Sequence, residues 1–149
     1  MKRTSIIIIL AVLLNGTVCA QLLKPVKWSY AAKKISATEA VIFMKATIET
    51  GWHIYSLNVP DGGPIKTSFT FSPSKSYTLS GKPMEPKPVT KFEKTFNMNV
   101  SYFENSVIFQ QRIKLRTSSP TVKGKLEYMV CSDRQCLPPE EIAFSVPVK

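Results

Sequence analysis

Ala40-Val41-Ile42-Phe43-Met44-Lys45-Ala46-Thr47-Ile48 alternates with a period of two. Ala40, Ile42, Met44, Ala46 and Ile48 share one face, and Val41, Phe43, Lys45 and Thr47 the other. An amphipathic helix would repeat its apolar residues every three to four positions. This alternation, rich in β-branched and aromatic side chains, instead predicts a strand with one buried face.

Segments of the same kind follow along the chain. Val26 to Ala32 alternates loosely and is read as a first strand. Gly51 ends the second, and the short aromatic run Trp52-His53-Ile54-Tyr55 comes next. Asp61-Gly62-Gly63-Pro64 is a turn signal. Thr67 to Phe71 and Tyr77 to Ser80 are further strand candidates, separated by Ser72-Pro73-Ser74. Gly81 to Pro88 holds three prolines, which remove ladder donors, and is expected to be loop or sheet edge. Thr90 to Asn97 is polar apart from Phe92 and Phe96.

Met98 to Phe103 and Val107 to Leu115 are strand-like and are read as a hairpin across Glu104-Asn105-Ser106. In the second arm Val107, Phe109, Gln111, Ile113 and Leu115 form the inward face. Val122 to Val130 and Ile142 to Val148 supply the last strands. No segment after Gln21 carries a sustained helical period. Short strands between regularly spaced turns predict an all-β protein, an immunoglobulin-like β-sandwich, with a small barrel as the alternative.

The 149 residues suffice for one domain. Lys2 and Arg3 precede the apolar run Ile6 to Leu14, a polar break at Asn15-Gly16-Thr17, and Val18-Cys19-Ala20. That order predicts a cleaved secretory signal peptide over 1–20 and a domain over 21–149 that begins at Gln21. The apolar run is too short to span a bilayer, which takes about 20 residues. Gly16 and Val18 suit a lipidation site at Cys19 poorly. Cleavage leaves two cysteines of three, Cys131 and Cys136, in a compartment where disulfides form. It also removes two of the positive charges, so the formal +10 becomes +8. The basic residues are dispersed and accompany no nucleic-acid motif, so a solvated surface is expected.

Most catalytic constellations are missing. His53 is the single histidine, read as a packed or surface residue, since zinc needs about three or four converging N/S ligands. No catalytic triad, phosphate-cradling loop or carboxylate pair stands out, and neither metal nor cofactor is expected. What remains is Cys131-Ser132-Asp133-Arg134-Gln135-Cys136-Leu137-Pro138-Pro139. A cystine there closes a ring of about six residues and would add only ~2 kcal/mol, against almost 5 kcal/mol for a loop of about 100. A domain able to bury a core hardly needs it, and short-loop or exposed disulfides are the exchanging kind. Arg134 favours a thiolate and Asp133 opposes it. Pro138 and Pro139 stiffen the exit from the turn. From the residues alone two readings stand: a working dithiol, or a structural cystine in an immunoglobulin-like binding or assembly module.

The block Tyr128-Met129-Val130-Cys131-Ser132-Asp133-Arg134-Gln135-Cys136-Leu137-Pro138-Pro139-Glu140 resembles the active-site segment of the N-terminal periplasmic domain of DsbD, the membrane thiol:disulfide interchange protein, and of stand-alone disulfide bond corrector domains. Gly51-Trp52-His53-Ile54-Tyr55 resembles that family's glycine–aromatic segment beside the site, and the likeness extends loosely over Lys27 to Val148. The resemblance implies an immunoglobulin-like fold and a periplasmic location. It implies a relay that takes electrons from a thioredoxin-like or membrane thiol:disulfide reductase and hands them to disulfide-containing acceptors. It makes Cys131 and Cys136 the redox pair, with Cys136 the sulfur that bonds to partners. It places Tyr55 beside the pair and an aromatic cap within Phe92 to Phe96, assigned to Phe96. Asp133 and Pro138 are then supporting residues of the turn. The cysteine spacing is one residue shorter than in the best-known members, and the electron source is expected to be a separate protein.

Overall fold

The computed structural model of the chain describes residues 23–149. The expected signal peptide over 1–20, with Cys19, and the expected start at Gln21 lie outside the described residues. Among those described there is no helix; the chain forms eleven strands. They are β1 (Val26–Lys34), β2 (Glu39–Ile48), β3 (Trp52–Tyr55), β4 (Ser68–Phe71), β5 (Tyr77–Met84) and β6 (Val89–Glu93), followed by β7 (Met98–Glu104), β8 (Ser106–Leu115), β9 (Thr121–Tyr128), β10 (Val130–Ser132) and β11 (Glu140–Pro147).

They pair antiparallel into three sheets, ordered β1-β2-β8-β5, β11-β9-β4 and β10-β3-β7-β6. The alternation in β2 is realised as expected, with Ala40, Ile42, Met44, Ala46 and Ile48 all buried. They meet Val107, Phe109, Ile113 and Leu115 of β8, Val122 and Leu126 of β9, and Phe144 and Val146 of β11 in one apolar core. Trp28, Phe69 and Phe103 each hold their rings against Phe109 at the centre, 5.3–6.0 Å between centroids. The sheets keep separate edges, so the molecule is a sandwich and not a barrel.

Two pairings differ from the sequence expectation. Met98–Glu104 and Ser106–Leu115 are strands, but they do not form a hairpin: β7 belongs to one sheet and β8 to another. Only Asn105 separates them, in a left-handed conformation (φ 61°). A hairpin needs a loop of at least about two residues, so a single left-handed residue carries the chain across the core instead. Asn105 is held there by Ile48, whose N–H donates to its carbonyl at 2.8 Å. Phe103 and Val107, on either side of it, both enter the core. Secondly, Val89–Glu93 is an edge strand paired to β7, so the first half of the polar stretch before Met98 is sheet. The proline-rich stretch after Ser80 is edge strand as far as Met84, with its register broken between Ser80 and Met84.

Gly124 marks how tightly the sheets are packed. A Cβ there would collide with the carbonyl oxygen of Thr70 on β4 and with the ring of Phe144 on β11. Neither neighbour can withdraw without opening a strand pair or the core. Gly124→Ala should therefore lower unfolding free energy by about 1–3 kcal/mol, read from urea denaturation curves.

Candidate functional site

The cysteines sit on a small hairpin of their own. Leu137 N–H donates to the Val130 carbonyl at 2.9 Å, and Ser132 N–H to the Gln135 carbonyl at 2.8 Å. Between these two bonds Cys131 and Cys136 face each other and are joined as a disulfide, with Cα atoms 4.0 Å apart. Asp133 and Arg134 are the turn residues, both exposed and neither in a left-handed conformation. The Ser132 hydroxyl accepts from the backbone N–H groups of Arg134 (3.3 Å) and Gln135 (3.2 Å), so a serine at the first turn position shapes the bend. Pro138 and Pro139 then carry the chain out to β11.

The two sulfurs are not equivalent. Leu126, Tyr128 and Val130 point into the main core, so strand parity turns Cys131 to the opposite face of its sheet. There it is 1% exposed, in a second small cluster with Tyr55 and Val100 that Val59, Met98, Tyr102 and Met129 complete. Cys136, across the hairpin, is exposed. The loop after β3 closes this cluster: Gly62 turns with φ +85°, and a Cβ on Gly63 would strike Val59 and Met98.

Pairing with β3 decides what lies beside Cys131. Val130 is opposite Ile54, Cys131 opposite His53, and Ser132 opposite Trp52. On its other side His53 pairs with Glu104, and Tyr55 with Tyr102. His53 Nε2 is 3.3 Å from the Tyr55 hydroxyl, and its ring lies 4.9 Å from that of Tyr102. Burial holds the imidazole below its ordinary pKa, opposed by the carboxylates of Glu104, Glu93 and Asp133 and assisted by Lys91. Burial, with Glu93 nearby, pushes the Tyr55 phenol up to about 12, so it remains a hydroxyl at physiological pH.

Tyr55 packs with Cys131, and Asp133 and Pro138 occupy the turn and its exit. Phe96 is half-buried in the turn between β6 and β7 and is not in the Cys131 cluster. Phe92 is exposed and pairs with Asn99, whereas Lys91 and Glu93, opposite Val100 and Met98, face the cysteine side. Sequence reading set His53 in the segment beside the site but took it as a packed or surface residue, and it missed Glu93, Glu104, Met98 and Val100 as neighbours. For His53 a signal existed: it shares strand parity with Tyr55. The others arrive only through pairing of β3, β7 and β6. Open grooves flank the hairpin, one along Thr50, Gly51 and Trp52, the other between Leu23 and Leu137-Pro138-Pro139. Among the described residues no His/Cys/Asp/Glu group has the grouping of a metal site.

The family model for the N-terminal domain of the thiol:disulfide interchange protein DsbD matches residues 20–147. The chain belongs to this family. Thiol–disulfide exchange is accordingly the chemistry to which its disulfide is suited. The Neisseria meningitidis DsbD N-terminal domain in the reduced form is 17% identical, with a TM-score of 0.51 over 78% of this chain and 82% of that one. The same organism's DsbD N-terminal domain in complex with the PilB N-terminal domain gives 18% and 0.56 over 84% and 87%. The N-terminal periplasmic domain of ScsB from Proteus mirabilis gives 18% and 0.58, covering 85% of this chain but 49% of that one. At such identities the likeness is one of fold, the immunoglobulin-like sandwich. No curated protein matches the chain.

Unequal burial has a direct readout. After reduction, iodoacetamide should label Cys136 faster than Cys131, as followed by peptide mass spectrometry; equal rates would contradict this burial pattern. A second outcome concerns acid. His53 binds its proton less readily folded than unfolded, so its contribution is whole above the ordinary histidine pKa and is lost as pH falls below it. Melting temperature should drop between about pH 7.5 and pH 5, and His53→Gln should flatten part of that drop.

Proposed function

We propose that the chain is an exported thiol–disulfide relay. It passes reducing equivalents from a thioredoxin-like or membrane thiol:disulfide reductase to disulfide-containing proteins of the periplasm. The observation that carries this reading is the asymmetric disulfide: an exposed Cys136 on a two-residue hairpin, backed by a Cys131 enclosed in its own small cluster. Family membership supports the chemistry. The periplasmic origin of the ScsB domain supports the compartment, and the DsbD–PilB complex supports a protein partner.

The geometry suits a two-step exchange. A donor thiolate attacks the Sγ of Cys136, the exposed member of the pair; the Cys131–Cys136 bond breaks and its electron pair leaves on Cys131. A second donor thiol then attacks the mixed disulfide and frees Cys136, so the donor is oxidised by two electrons and the chain reduced. Toward an acceptor the steps run in reverse, with Cys136 attacking and Cys131 resolving. In this reading Tyr55 is the floor beneath Cys131, Phe96 at the β6–β7 turn is the shielding aromatic, and Asp133 and Pro138 hold the hairpin's tip and exit. The sulfurs carry the electrons themselves, and no cofactor takes part.

Replacing both cysteines by Ala should lower stability by about 2 kcal/mol, leave the fold intact and abolish exchange. A Cys131→Ala chain expressed in its native cell envelope should accumulate adducts that vanish with reductant on gels. A complete lack of adducts, together with a potential far below ~−300 mV, would mark the cystine as structural and sink the relay.

A further inference from the structure

We propose that His53 is the proton acceptor for the Cys131 thiol in the step that closes the disulfide, an inference that rests on the relay reading above. Cys131 and His53 are directly opposed in the β10–β3 ladder and therefore project from the same face of the sheet. Opposed side chains in antiparallel strands have Cβ atoms about 4.5–5.5 Å apart, within reach of a proton moving directly or through one water.

Cys131 needs such a partner. Its sulfur resolves a mixed disulfide only as a thiolate, yet it is 1% exposed among Tyr55, Val100, Met98 and Met129. Apolar burial opposes thiol ionisation. His53 is the one imidazole in the chain, and it stands at this spot. The groups facing it from each neighbouring element are Glu104 of β7, Glu93 and Lys91 of β6, Asp133 of the hairpin turn, and the rings of Tyr55 and Tyr102. Three of these are carboxylates, which favour the imidazolium once it forms, while burial keeps the resting ring neutral. In the tautomer whose Nε2–H donates to the Tyr55 hydroxyl, Nδ1 carries the free lone pair. A ring packed only as filler would need neither the carboxylate surround nor the hydroxyl.

The step balances as follows. Cys136 begins in a mixed disulfide with the acceptor's sulfur. The Cys131 S–H proton passes to the imidazole. The thiolate's electron pair forms the Cys131–Cys136 bond while the bond from Cys136 to the acceptor's sulfur breaks, its pair leaving on that sulfur. The chain loses two electrons, the acceptor gains them, and the imidazolium returns its proton to solvent or to the departing thiolate. When a donor reduces the chain, His53 in its protonated form gives the proton back to Cys131.

The test uses the reduced, folded chain and the aromatic disulfide dithiobisnitrobenzoate, whose coloured leaving group appears twice in stopped flow. The first release reports attack by Cys136 and the second reports closure by Cys131. In the wild type the second phase should slow in acid with an inflection below the ordinary histidine pKa. In His53→Gln it should slow about 100-fold relative to the first at neutral pH, lose that inflection, and recover as alkali ionises Cys131 unaided. Tyr55→Phe keeps the ring, removes the Nε2 partner, and should move the inflection without erasing it. Should His53→Gln fail to fold, the wild-type and Tyr55→Phe profiles decide. An unchanged second phase in His53→Gln, or a wild-type profile flat through the histidine range, overturns the assignment while leaving the relay standing. A wild type with no second phase at all overturns both.

Discussion

Three residue pairs, Val130 with Ile54, Cys131 with His53 and Ser132 with Trp52, are the constraint on which the site depends. Side chains alternate along a strand, so setting Val130 and Ile54 into the main core sends Cys131 and His53 to the other face. A slip of one residue in β10 would exchange its two sets, turning Cys131 into the main core and taking Val130 out of it. The apolar core therefore enforces the register, and the register sets Cys131 directly opposite His53. The β9–β10 connection serves the same end. A single residue, Met129, lets the chain leave the sheet of β9 and join that of β3 without breaking the alternation from Leu126 to Val130.

The small cluster around Cys131 is held from outside by polar bonds. Glu85, just beyond β5, accepts from the Ser56 hydroxyl, from Leu57 N–H at 2.8 Å and from the Asn58 side-chain amide at 3.0 Å. The Thr67 hydroxyl donates to the Tyr55 carbonyl. The Glu85 bonds tie the residues after β3 to the end of β5, and the Thr67 bond ties Tyr55 to the start of β4, which together hold Tyr55 in place beside Cys131. Gln111, fully buried on the inner face of β8, has a related task. Its side-chain amide donates to the carbonyls of Gly81 (3.2 Å) and Arg112 (2.7 Å) beside the irregular part of β5. A polar residue on an apolar face is thus explained by a strand whose ladder is interrupted next to it.

The disulfide itself contributes little to the fold. The ring it closes is about six residues, and the aromatic core and three sheets do not rest on it. That independence is what a redox pair requires, since the scaffold has to survive both states of the bond. The hairpin has its own local supports, with two backbone bonds and the Ser132 hydroxyl shaping the turn without using the sulfurs.

Strand positions were legible because burial on one face imprints a period of two, as in Ala40 to Ile48 and Val107 to Leu115. The Cys131–Cys136 hairpin, its double-proline exit and its Tyr55 neighbour were legible through local sequence and family resemblance. Pairing was not. Met98–Glu104 and Ser106–Leu115 look like hairpin arms in one dimension, and only the one-residue link at Asn105 separates them into different sheets. Val89–Glu93, almost wholly exposed, carries no alternation to betray an edge strand. By itself the sequence determined the strands that bury one face and which side chains share that face, because both follow from the geometry of an extended chain. Tertiary structure alone decided that Cys131 is covered while Cys136 is open, and that His53, Glu93 and Glu104 converge beside them. Those facts depend on contacts between segments far apart in the chain, which no local period records.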